Sequence, residues 1–142
     1  MAEHRLALVV GATRGIGLGV TKEFLARGWT VIATARDPAK ATALHALAAE
    51  HLGRVSVAQL DMNNPAAVDG FAATLGDKLL DAVLVNAGIA GPEHRSASAV
   101  TAAEIGALMF TNAIAPVRLA RALIPNVRPG SGVIAFTSSV MG

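Results

Sequence analysis

Residues 11–17 read Gly-Ala-Thr-Arg-Gly-Ile-Gly, three glycines within seven positions, placed between a short apolar run and a segment patterned as a helix. Glycine lets the chain turn tightly, lets a pyrophosphate approach the backbone and lets helix and strand pack closely. The helix that follows then offers free N–H groups and a positive dipole end to phosphate oxygens. Gly11, Thr13, Arg14, Gly15, Ile16 and Gly17 are therefore candidate phosphate-binding positions. A structural turn with the same glycines is the plainer alternative, and the strand-loop-helix setting is what favours a ligand.

Such a loop works only if a rigid sheet presents it. Short apolar runs at residues 6–10, 30–35, 55–60, 82–86 and 133–137 alternate with longer helix-patterned segments, the signature of βαβ units. The runs are nearly continuously apolar, as parallel strands covered on both faces should be. A helix is expected over 16–27, closed by Gly28 in the left-handed position. Asp37-Pro38 and Asn64-Pro65 each read as an N-cap followed by proline at the first helical position. The first should open a helix with Leu44, Leu47, Ala48 and Leu52 on one face, the second a helix with Val68, Phe71, Ala72 and Leu75 inward. A third helix should run over 101–123, with a kink at Pro116. Right-handed crossovers turn this order into an α/β fold, a doubly wound parallel sheet with its ligand at the carboxyl ends of the strands.

Composition narrows the class. The chain has 142 residues, 53% of them hydrophobic, enough for one domain over 1–142 with a real core. It has no cysteine, so disulfides and thiolate metal sites are out and a cytoplasmic setting fits best. The net charge is +2 with scattered basic residues, which argues against nucleic acid. His4, His45, His51 and His94 lack metal-ligand spacing and read as solvated. The basic start before Leu6 imitates a secretory signal, but its apolar run is brief and flows into the glycine loop. No apolar stretch approaches bilayer-spanning length, so no membrane partner is expected.

The glycine spacing, Gly-x-x-x-Gly-x-Gly, resembles that of the short-chain dehydrogenase/reductase family. The resemblance recurs along the whole chain: Asp61 after the third strand, Asn86-Ala-Gly88 after the fourth, Asn112 in the long helix, and Thr137-Ser-Ser-Val-Met-Gly142 after the fifth. Two of these segments, Val85 to Ile89 and Thr137 to Gly142, look most like the C-factor-type reductases. The resemblance implies a Rossmann-type sheet of order 3-2-1-4-5 and a small-molecule carbonyl or alcohol substrate. Gly11, Gly15, Ile16 and Gly17 would form the pyrophosphate loop, Asp61 and Met62 would contact adenine, and Asn86, Ala87 and Gly88 would line the cofactor cleft. A carboxylate at a strand end can accept from an exocyclic amine, although Asp61 could equally cap its own turn.

Charge bears on the cofactor. A ribose 2′-hydroxyl wants a carboxylate after the second strand, a 2′-phosphate a cation. Here that strand ends in Arg36, with Arg14 as a second guanidinium and Asp37 expected to act as a helix cap. NADP(H) is therefore favoured over NAD(H). Val10 and Val85 stand where the family usually carries Thr and Asn. If the two face each other, a polar pair has been exchanged for an apolar one at little cost.

The resemblance also sets expectations about catalysis. Ser139 resembles the serine that positions the substrate oxygen, and Asn112 the asparagine that helps hold a proton-relay water. The family's tyrosine and lysine should follow Ser139 as Tyr-x-x-x-Lys, but the sequence contains no tyrosine. Lys22, Lys40 and Lys78 lie on the wrong elements to substitute. The reading is thus an oxidoreductase truncated after the fifth strand, holding the cofactor-binding part and inactive or nearly so by itself; a non-catalytic dinucleotide-binding or signalling protein is the alternative. Residues 133–137 should then form an exposed apolar edge and the long helix an exposed apolar face, so association into a homo-oligomer is expected.

Overall fold

The computed structural model describes residues 4–93 and 96–138. Five parallel strands form one sheet: β1 (Leu6–Val10), β2 (Thr30–Ala35), β3 (Val55–Gln59), β4 (Ala82–Val85) and β5 (Val133–Phe136), in the order β3-β2-β1-β4-β5. The order reverses between β1 and β4, so the crevice at their carboxyl ends is the switch point of the sheet.

Strand alternation sends successive residues to opposite faces, and both faces are covered. Ala7, Val9, Val31 and Ala33 pack with Leu25 of α1 (Gly15–Ala26) and with Leu44 and Leu47 of α2 (Thr42–Glu50). Leu8, Val10, Ile32, Val83 and Val85 pack on the other side with Val68, Phe71 and Leu75 of α3 (Pro65–Leu75). This double cover is why the inner strands β1 and β4 carry no polar residue and β2 only two threonines, while the less covered edge strand β3 has Ser56 and Gln59. Val10 and Val85 are register partners, both buried, so the two exchanged positions do face each other.

Two of the expected helix ends form as the local sequence dictates, and a third does not. Gly28, at φ +82°, donates to Leu25 O and Trp29 donates to Phe24 O, closing α1 in a Schellman motif. Asn64 Oδ1 accepts from Ala67 N–H at 3.3 Å, capping α3 as expected. Asp37 does not cap. Its backbone carbonyl closes a single 3-10 turn (Pro38–Lys40) by accepting from Lys40 N–H, and its carboxylate pairs with Lys40 Nζ at 3.2 Å. The following α2 stops at Glu50, which leaves Leu52 84% exposed instead of on the inner face.

The long helical stretch is α4 (Ala102–Met109), a π turn (Phe110–Ile114), α5 (Ala115–Leu123) and a 3-10 turn (Ile124–Asn126). Proline at 116 has no N–H for the carbonyl four residues back, and its ring crowds that carbonyl. The widened turn just before it accommodates both problems. Contrary to the sequence expectation, Ala102–Asn126 is long and apolar enough to cross a bilayer by length and composition. Ala115, Leu119 and Leu123 nevertheless lie fully buried in the core, as the inner side of a core helix does. Outward it exposes Ile105, Met109, Ile114, Val117 and Ile124, and the edge strand β5 exposes Val133 at 58%.

Candidate functional site

The glycine loop is built against the switch point by contacts that exclude a side chain. Gly11 sits at φ +79°, and a Cβ there would approach Ala87 N at 2.9 Å. A Cβ on Gly17 would collide with Gly11 O. Beneath the loop, the buried Thr34 holds Gly11 N–H with its hydroxyl (3.3 Å) and Ala12 N–H with its carbonyl (3.1 Å). Gly15 differs. It has φ +56° and faces open space, and Thr13, Arg14 and Ile16 beside it are exposed, Ile16 by 62%. The N-terminus of α1 has no side-chain cap and no acidic residue in its first turn. Glycines packed tightly enough to exclude Cβ atoms, below an uncapped helix start, suit a pyrophosphate. The residues present therefore fit a dinucleotide.

Arg36 follows β2 in an exposed position, its backbone carbonyl accepting from Gln59 Nε2 at 3.1 Å. Among the described residues neither Arg14 nor Arg36 pairs with a carboxylate, while Asp37 is engaged by Lys40. Asp61 is exposed, and its Oδ1 accepts from Asn63 N–H at 3.0 Å, so it does cap its own turn. No partner for its other oxygen occurs among the described residues. The Met62 side chain, 7% exposed, belongs to the core and anchors Asp61 from the next position.

Asn86 bridges three elements. Its N–H donates to Val10 O, its Nδ2 to Gly11 O at 3.4 Å, and its Oδ1 accepts from Thr137 Oγ1 at 2.7 Å. Asn112, inside the π turn, clamps the loop after β4: Oδ1 accepts from Ile89 N–H at 2.8 Å and Nδ2 donates to Ile89 O at 2.7 Å. Gly88 makes room for this, since a Cβ there would lie 3.2 Å from Asn112 Oδ1. The sequence reading passed over Asn63 and Thr111. Asn63 Nδ2 donates to Thr111 Oγ1 at 2.9 Å across 48 positions, a separation that no local pattern signals. Ser139, together with His94, lies outside the described residues.

A groove of about 540 Å³ lies at the amino ends of the strands, against β2, β3 and α3, walled by Leu6, Ile32, Ala58, Phe71 and Leu75. It holds none of the glycine-loop residues.

Sheet order, switch point and glycine loop define a Rossmann-type domain. The chain belongs to the short chain dehydrogenase family, whose model matches residues 5–142. Among solved structures, a carbonyl reductase from Pseudomonas aeruginosa PAO1 in complex with NADP superposes with a TM-score of 0.93 at 42% identity, over 98% of this chain and 60% of that one. Short chain dehydrogenase gsfK of Penicillium aethiopicum is 32% identical over 125 residues, 85% of this chain and 49% of the relative. The 1-deoxy-11-beta-hydroxypentalenate dehydrogenase of Streptomyces arenae is 33% identical over 131 residues, 89% of this chain and 45% of the relative. The chain thus spans about half the length of the curated relatives it matches.

Proposed function

We propose that this protein is an NADP(H)-dependent oxidoreductase interconverting a small carbonyl compound and its alcohol, with these 142 residues forming the cofactor-binding part. The preference for NADP(H) is carried by one observation: two exposed guanidiniums, Arg14 at the start of α1 and Arg36 directly after β2, have no carboxylate partner among the described residues, while Asp37 pairs with Lys40. A ribose 2′-phosphate matches paired guanidiniums, whereas a free 2′-hydroxyl would want the carboxylate. The NADP complex of the Pseudomonas carbonyl reductase is consistent with this reading.

When bound, the nicotinamide supplies or accepts the hydride. The residues of this chain bind and orient the cofactor and place the substrate oxygen. Gly11, Gly15, Ile16 and Gly17 with Thr13 and the amides of α1 hold the pyrophosphate; Asp61 offers its oxygen to the adenine amine beside the Met62 backbone. Asn86, Ala87 and Gly88 line the crevice, Asn112 fixes its far wall, and Ser139 orients the substrate oxygen. Homo-oligomerisation through the exposed apolar face of α4 and α5 and a cytoplasmic setting complete the proposal.

Fluorescence titration tests it. NADPH should bind, NADH should bind about tenfold more weakly, and Arg36→Ala should cost about tenfold in NADPH affinity and leave NADH unchanged. Equal affinities in the wild type overturn the preference. With no tyrosine in the sequence, the 142-residue chain should bind NADPH yet oxidise it at background rate with aldehydes or ketones. Failure to bind either nucleotide rejects the dinucleotide reading.

A further inference from the structure

We infer that Asn63 and Thr111 are positioning residues that tie the loop after β3 to the π turn, so that a ligand at the adenine end fixes the Asn112 clamp at the other end of the crevice. The inference rests on the dinucleotide reading above.

Two loops and the π turn of the long helix meet at the carboxyl edge of the sheet, and hydrogen bonds join them in series. The loop after β3 is anchored by the buried Met62 and folded on itself, with Asn63 N–H on Asp61 Oδ1 and Asn64 N–H on Asp61 O. Its Asn63 side chain then leaves the loop and donates to Thr111 Oγ1. Thr111, 7% exposed, is the buried residue of the π turn, and Asn112 follows it directly. From Asn112 the path continues through two bonds to Ile89 of the loop after β4. Asp61 and Asn112 thus share one frame, although no single ligand atom needs to touch both.

The weak element of the frame is the π turn. Its backbone leaves the regular i to i−4 ladder, so its geometry depends on what holds it from outside. Pro116 widens the turn but does not select which way its side chains face. Asn63, arriving from another crossover, gives Thr111 a fixed partner and so sets the direction of the next side chain, Asn112. A ligand drawing on Asp61 orders the Asp61–Asn63 turn, and the Asn63–Thr111 bond carries that order to Asn112 and Ile89. By linkage the effect is reciprocal: a firmly held clamp improves the adenine site.

Adenosine 2′,5′-bisphosphate, which has the adenine end and no nicotinamide, separates the two ends, with amide NMR on the 142-residue chain as the readout. In the wild type its titration should move the backbone amide of Ile89 and the side-chain NH₂ of Asn112 along the same binding curve as the Asn63 amide. In Thr111→Val, the fragment should still bind within about twofold and shift Asn63. Ile89 and Asn112 should then no longer respond. Thr111→Ser should restore the response, which a loss of packing alone would not explain. Asn63→Ala breaks the same bond from the exposed side, and it decides the matter if Thr111→Val does not fold. Binding with Ile89 and Asn112 silent in the wild type, or equally responsive in both broken variants, overturns the inference alone. Absence of any fragment binding overturns the dinucleotide reading and this inference with it.

Discussion

The two ends of the sheet use their polar groups differently. At the amino end they are committed to the backbone: Asp81 accepts from Leu6 N–H at 2.8 Å and from Arg128 Nε at 2.6 Å. Nearby, the buried Asn126 donates through one amide to Gly76 O (2.8 Å) and Lys78 O (3.0 Å). At the carboxyl end the helix start is uncapped, Gly15 faces open space, and Arg14 and Arg36 have no carboxylate partner among the described residues. The asparagines there hold loops in place around that open space. The polar groups described at the amino end all close the fold, whereas at the carboxyl end fold-closing asparagines and threonines stand beside cations and backbone amides without a partner among the described residues.

If that division is right, substitutions should cost stability where groups are committed and binding where they are free. The largest effect is expected where both demands coincide. Gly17→Ala must move either α1 or the Gly11 carbonyl, so it should lose about 3 kcal/mol in urea unfolding together with NADPH binding. A variant that folds normally and binds normally would show that the loop is loosely packed.

Next comes Asp81→Asn, which should cost about 2 kcal/mol by weakening bonds to Leu6 and Arg128. Burial of Asp81 pushes its pKa up, but the bonds from Arg128 and from Leu6 N–H, with the charges of Arg128 and Arg5, outweigh it and hold the carboxyl below its ordinary value. A depressed carboxylate contributes stability that is complete above its unfolded pKa, about 4, and lost as pH falls through the folded value. Unfolding free energy should therefore drop below about pH 4 in the wild type, and this part of the drop should vanish in Asp81→Asn. Asn126→Ala, which strands two carbonyls, should cost about 1.5 kcal/mol and leave NADPH affinity unchanged.

Sequence patterning located the strands and the glycine loop, because continuous apolar runs and glycine spacing are local signals; that Val10 faces Val85 was only a condition until the strand register supplied it. What it missed is set at a distance or by competition. Asp37 followed by proline looks like a cap, yet the 3-10 turn engages its carbonyl and Lys40 its carboxylate. Leu52 kept the helical period but falls after the helix has ended. A kink at Pro116 was foreseeable; that it takes the form of a π turn with Thr111 facing Asn63 was not. Asp81 with Arg128, and Asn126 with Gly76, pair across 47 and 50 positions, which no window of sequence connects. Likewise, Met62 and Asp61 are adjacent in the chain, and only burial separates a core residue from one that faces the crevice.

Arg14→Ala gives the smallest expected change in stability and the sharpest test of the comparison. Its guanidinium caps nothing in α1 and pairs with no carboxylate among the described residues, so unfolding free energy should stay within about 0.5 kcal/mol of wild type. Removing a cation from the uncapped N-terminus of α1 relieves its repulsion with the positive end of the helix dipole. Under the proposed NADP(H) preference, NADPH affinity should nonetheless fall severalfold, and less steeply for NADH, because one of the two guanidiniums proposed for the 2′-phosphate is gone. Screening gives a second signature: the loss should shrink as salt rises, since the Debye length, about 8 Å at physiological ionic strength, shortens and weakens the attraction between exposed charges. A fall in stability of about 1 kcal/mol or more with unchanged NADPH binding would place Arg14 among the committed groups, and the division between the two ends would no longer hold.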